Sequence, residues 1–222
     1  MSKHRMEIFS DGVFAIVITL LILDVRPPDV EHFTFAALSK VAHNIFAFIL
    51  SFVIVGMYWV AHHNMALFVK AVDRSLLWLN LVLLLTIVFL PFSTAVLGQH
   101  LGDPEAVMLY GLNLFLVNAA GAAFWLYAGS HSDLRIEGIS TAFAFKWAGR
   151  HAVPNFTSVL GIAFAPWLPR VSLAFYALMP VFFIFPNPIT NRFLQGSQSR
   201  AHAENAETPS NVSEPGASSG NV

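Results

Sequence analysis

Cysteine is absent from the whole 222-residue chain, and charge is scarce: Asp, Glu, Lys and Arg make up 11% of residues, against about 25% in a soluble domain. The first absence excludes disulfide staples, thiolate metal sites and cysteine nucleophiles. The second excludes a water-facing globular surface. A third absence is any excess of positive charge. The 12 Lys and Arg are outnumbered by 13 Asp and Glu, and the basic residues are scattered, so no dense face is available for a nucleic acid. Apolar mass fills the space instead. Hydrophobic residues are 56% of the chain, with 21 Phe, and mean hydropathy is +0.63. This is the composition of an all-α integral membrane protein, held in a lipid bilayer.

Stretches free of Asp, Glu, Lys and Arg run over Val41–Val69, Ser75–Gly102, Ala106–Ser132, His151–Pro169 and Val171–Asn191. Each is near or above the roughly 20 residues that cross a bilayer as helix. With the segment before Val25 the expected number of spans is six. Pro154, Pro166, Pro180 and Pro186 cut into the last two, which are expected to be kinked or short. The amino terminus, "MSKHRMEIF", resembles the start of a secretory signal, but "DVRPPDVE" follows the apolar run where small residues would mark a cleavage site, so the segment is expected to be retained. Lys3, Arg5, Lys70, Arg74, Arg135, Lys146, Arg150, Arg192 and Arg200 then share one side, against Arg26, Lys40 and Arg170 on the other. By the positive-inside rule both termini are cytoplasmic. Residues 1–193 form the transmembrane domain. Residues 194–222 are polar, small and almost without apolar anchors, and are expected to be a disordered cytoplasmic tail.

The first segment, "RMEIFSDGVFAIVITLLILDV" at residues 5–25, is unusual. Only a dozen uncharged residues separate Asp11 from Asp24, roughly 18–20 Å of helix, too little for about 30 Å of hydrocarbon. It is therefore expected at the centre of a bundle, either buried in protein or open to water at its ends. At about 100° per residue, Gly12, Ile16, Leu20 and Leu23 fall on one stripe with Thr19 at its edge. On spacing alone such a stripe is more readily helix packing than a pore face. Asp11 lies off it. A carboxylate at membrane depth needs a partner, and Arg5 and the cluster "YWVAHHN" at residues 58–64 lie at the same level. The alternative is that Asp11 simply begins the helix, favoured by its dipole.

Arg5, Phe9, Ser10 and Asp11 form an R-x-x-x-F-S-D signature followed by "GVFAIVITLLILDV", which resembles the first helix of the prokaryotic relatives of transmembrane protein 175, a family of potassium channels. The stretch "YWVAHHNMALF" at residues 58–68 resembles the end of that family's second helix. The resemblance implies a homotetramer of six-helix subunits with the first helix of each lining a central pore. It implies Ile16 as the hydrophobic constriction, Leu20 and Leu23 as further apolar layers, and Thr19 as the selectivity layer beside which potassium passes transiently. No "TVGYG"-like stretch is present, so no re-entrant carbonyl filter is expected. A potassium-permeable leak-type channel in the plasma (inner) membrane of a prokaryote follows, with potassium as permeant, no cofactor and no resident metal.

His62 and His63 are adjacent, so on a helix they point about 100° apart, and no third ligand stands near. A hydrogen-bonded network with Arg5, Phe9, Ser10, Asp11 and Trp59 is the expected structural role. Asn80, Asn113 and Asn118 are expected as interhelical hydrogen-bond partners, Gly111, Gly121 and Gly129 as points of close helix approach, and Trp78, Trp125, Trp147 and Trp167 partly as interfacial anchors. No Ser, His and Asp group at catalytic spacing and no glycine-rich phosphate loop occurs, so the chain is not expected to be an enzyme. A small secondary transporter working by alternating access is the competing reading. It calls for internal repeats and helices broken at mid-membrane; no repeat is visible, and only the fifth and sixth segments are broken.

Overall fold

Helix begins almost at the first residue. In a computed structural model, which describes residues 2–32, 34–136, 141, 142, 145, 149 and 151–184, α1 spans Lys3–Leu20 and continues as a 3-10 turn, Leu21–Asp24. These 22 residues reach about 33 Å at 1.5 Å per residue. Counting only from Asp11 to Asp24 therefore undercounts the helix. Two turns precede Asp11, which is an interior residue of α1 and not its start. The described residues up to Ile184 form one compact unit. The expected tail at 194–222, the end of the sixth segment, and Lys146, Trp147, Arg150, Arg192 and Arg200 lie outside the described residues.

A 3-10 turn, Phe35–Val41, leads into α2, Ala42–Phe68. After a short connection, α3 runs Arg74–Val88 with Asp73 as its N-cap, the carboxylate accepting from the Leu76 N–H at 2.7 Å. Then α4 covers Leu90–Gln99. The break between α3 and α4 is set by Pro91, which lacks an N–H and whose ring crowds the preceding turn. At this level Asn113 donates to the Thr86 carbonyl at 2.9 Å and accepts from the Ser93 hydroxyl at 2.9 Å, supplying partners where a helix break would otherwise leave polar groups in an apolar interior.

The most enclosed element is α5, Pro104–Ser130, packed against α3 and α4 and also against α6, Ala152–Phe164, and α7, Pro169–Ile184. Gly111 of α5 and Gly161 of α6 together make a slot for the Tyr176 ring of α7: a methyl group at either glycine would overlap that ring. Tyr176 donates from its hydroxyl to the Val107 carbonyl at 3.2 Å. At the end where α2 and α5 both finish, a single antiparallel bridge pairs Val69 with Arg135.

Among the described residues, four segments are able by length and composition to cross a membrane: Lys3–Asp24, Phe35–Phe68, Arg74–Gln99 and Pro104–Ser130. The expected fifth and sixth spans are shorter, 13 and 16 residues within the described chain. Pro166 lies in the break between them. Trp78 and Trp167 are exposed, as anchors would be, but Trp125 is buried and packs edge-on to Phe68 with ring centroids 4.8 Å apart.

Candidate functional site

Three faces of α1 have different neighbours. Met6, Ser10, Phe14, Val17 and Leu21 recur at helical spacing and are buried against the rest of the subunit. The opposite side carries the stripe foreseen from periodicity. Ile16 is 60% exposed, Leu20 41% and Leu23 68%, with Gly12 before them and Thr19 among them also exposed. The stripe is thus no part of the subunit's own core. A groove of about 420 Å³ between α1 and α2 forms the third face, lined by Asp11, Phe14, Ala15, Ile18, Gly56 and Trp59 among others.

Two separate polar anchors tie α1 to its neighbours. On the buried side, the Ser10 hydroxyl donates to the Met6 carbonyl at 2.8 Å and accepts from the Asn80 amide at 3.0 Å, while the Asn80 carbonyl oxygen meets His62 Nε2 at 2.8 Å. This bridges α1, α3 and α2. His62 therefore carries its proton on Nε2, and its ring lies 5.6 Å from that of Phe14. On the groove side, Trp59 Nε1 donates to the Asp11 carboxylate at 2.9 Å, with the His63 ring 6.5 Å from Trp59.

One network was expected, and the structure divides it. Arg5 and Phe9 are both exposed, and neither joins either anchor. Arg5 cannot reach Asp11 because six residues of helix set them about 120° apart and about 9 Å apart along the axis. His62 is buried and His63 exposed, so the two rings face different surroundings. Among the described residues no group of three His, Asp or Glu is placed to hold a metal ion.

Thr19 carries an exposed hydroxyl. Its hydroxyl donates back to the Ile16 carbonyl at 2.8 Å, with the Ala15 carbonyl at 3.1 Å. The hydrogen is thereby turned toward the helix, and the oxygen presents lone pairs outward.

Sequence reasoning gave Asn80 only a general interhelical role and did not find the buried chain in which Thr94 donates to Ser51 at 2.7 Å and Ser51 meets the Tyr110 hydroxyl at 2.8 Å. The only advance signal was a polar residue inside an apolar run.

An all-helical protein with membrane-length spans, whose first helix is anchored on one side and turns an apolar, hydroxyl-bearing stripe outward on the other, defines a class: multi-span membrane proteins. The chain belongs to the TMEM175 family. The family described as "Endosomal/lysosomal potassium channel TMEM175" matches residues 5–91. A potassium channel of Chryseobacterium sp. is 32% identical over 194 residues, covering 84% of this chain and 95% of that protein. A potassium channel of Streptomyces collinus is 32% identical over 187 residues, covering 82% and 91%. The human endosomal/lysosomal proton channel TMEM175 is 34% identical over 203 residues, covering 82% of this chain but 39% of that longer protein. In fold, the chain resembles the crystal structure of a lysosomal potassium-selective channel TMEM175 homolog from Chamaesiphon minutus, with TM-score 0.70 at 23% identity, covering 82% of this chain and 95% of that one.

Proposed function

We propose that the chain is the subunit of a potassium channel in which four copies gather α1 around a central axis. The observation that carries the reading is the outward stripe of α1. Gly12, Ile16, Thr19, Leu20 and Leu23 are exposed in the single subunit, while the helix is fastened from behind through Ser10 and Asn80. A carboxylate at Asp11 on the flank of the same helix is costly against lipid and acceptable against protein or water. Its Trp59 partner holds it in the groove, where a neighbouring subunit would cover both.

In this arrangement Ile16 forms a hydrophobic constriction that dewets when narrow, with Leu20 and Leu23 as further apolar layers. Thr19 offers four hydroxyl oxygens that replace part of the hydration shell of potassium, a weakly hydrated ion. Discrimination against sodium is modest, because hydroxyls are fewer and weaker ligands than a carbonyl cage. The subunit crosses a prokaryotic plasma membrane six times with both termini cytoplasmic. Helices α6 and α7 make the last two crossings, shortened by their prolines.

Purified protein in liposomes tests the reading. A downhill potassium flux that proceeds with no second solute is expected; flux that stops unless a counter-solute moves marks the transporter instead.

A further inference from the structure

We propose that Asp24 and Lys40 set, with opposite signs, how many cations stand at the outer mouth of the conduction path. The inference rests on α1 lining that path.

A cavity of about 620 Å³ opens where the 3-10 turn after α1 ends, and Asp24, Arg26, Asp29, Lys40, Asn44 and Gln99 contribute to its wall. Two carboxylates and two cationic groups thus meet in one space, yet among the described residues no ion pair joins any of them. Unpaired, their fields point into the water of the cavity and do not cancel in contact.

The four charges are not equivalent. Asp24 directly follows Leu23 of the stripe and is half-buried, whereas Arg26, Asp29 and Lys40 are exposed. Beside a low-dielectric wall a charge is less screened and its field is focused into the cleft. Asp24 also stands at the C-terminal end of its helix, where the backbone carbonyls already give negative potential. A carboxylate there is repelled by its own helix, so local stability does not favour it. Carbonyl ends and carboxylate together draw cations to the place where the stripe meets water. Lys40 lies near the end of the 3-10 turn before α2 and brings the opposite sign to the same cavity. Its wall is held close by Gly98 of α4, whose added methyl group would come within 3.1 Å of Asn44.

Around a fourfold axis each change of one charge counts four times. The effect is a field effect, so it is strong where the Debye length is about 10 Å, near 0.1 M salt, and weak where it is about 3 Å, near 1 M.

Single-channel recording of the full-length protein tests this with potassium as the probe. In about 0.1 M symmetric potassium, Asp24→Asn is expected to lower inward current at least about twofold, and Lys40→Gln to raise it, with outward current little altered. Both variants should converge on the parent near 1 M. If Asp24→Asn fails to assemble, Lys40→Gln decides alone. Variants that conduct as the parent does, or that change equally in both directions at both salts, overturn the inference while leaving the channel reading intact. A parent carrying no potassium current overturns the channel reading and this inference with it.

Discussion

At the scale of single residues, Ile16 and Thr19 lie on one face of α1, one helical turn apart, and the proposed channel gives them different work. In the proposed pore, replacing Ile16 by Asn puts amides where an apolar ring would exclude water, so the constriction should wet and basal potassium flux should rise. Thr19→Val keeps the shape but removes the outward lone pairs, so potassium loses its advantage over sodium while the pore still conducts. Paired potassium and sodium gradients in liposomes separate the two, conductance moving at residue 16 and discrimination at residue 19. Asn80 carries a stability prediction. Asn80→Leu leaves the buried His62 Nε2 without a partner, while the Ser10 hydroxyl loses the amide it accepts from but keeps its bond to the Met6 carbonyl. The unpaired His62 group costs about 1–3 kcal/mol and should lower the thermal midpoint in detergent. An unchanged midpoint would show that His62 finds another partner. The stripe was readable in the sequence because periodicity alone defines it. The division of the polar residues into two anchors was not, because it depends on which side of α1 meets α2 and which meets α3.

At the scale of elements, the connection between α2 and α3 is pinned by Asp73. The Tyr127 hydroxyl donates to it at 2.6 Å, and this bond holds the Asp73 carboxyl below the usual carboxylate range, helped by the Leu76 N–H and by His131. A carboxyl with a depressed folded-state pKa contributes stability above its unfolded value, about 3.9, and loses it as pH falls through the folded value. Asp73→Asn keeps a good capping residue but not the charge. The parent should therefore melt above this variant at neutral pH, with the gap closing as pH falls below about 4. A gap independent of pH would assign the effect to geometry alone. In α5, Gly111→Leu should prevent α7 from seating Tyr176 and cause loss of folded protein in a gel-filtration assay. Normal elution would show that the slot is not needed. Three of the four long spans, Phe35–Phe68, Arg74–Gln99 and Pro104–Ser130, were legible because runs of uncharged residues report them, whereas Lys3–Asp24 was undercounted because Asp11 interrupts its run. The lengths of α6 and α7 were not legible, since prolines mark where a helix is interrupted without saying how much of it survives on either side.

For the whole molecule, the account stands on assembly. Native mass measurement of the protein in a mild detergent should give a four-chain species; monomers alone, in detergent and in lipid, would remove the axis that α1 is said to line. Because the chain contains no cysteine, an introduced thiol is the sole target for a charged, water-soluble thiol reagent. Leu23→Cys, on the stripe, and Leu85→Cys, which is 68% exposed on α3, place that target on surfaces that look alike in the single subunit. The account predicts that the reagent blocks potassium current through the Leu23→Cys protein within its labelling time and leaves current through the Leu85→Cys protein unchanged. Continued current through a fully labelled Leu23→Cys channel would contradict it.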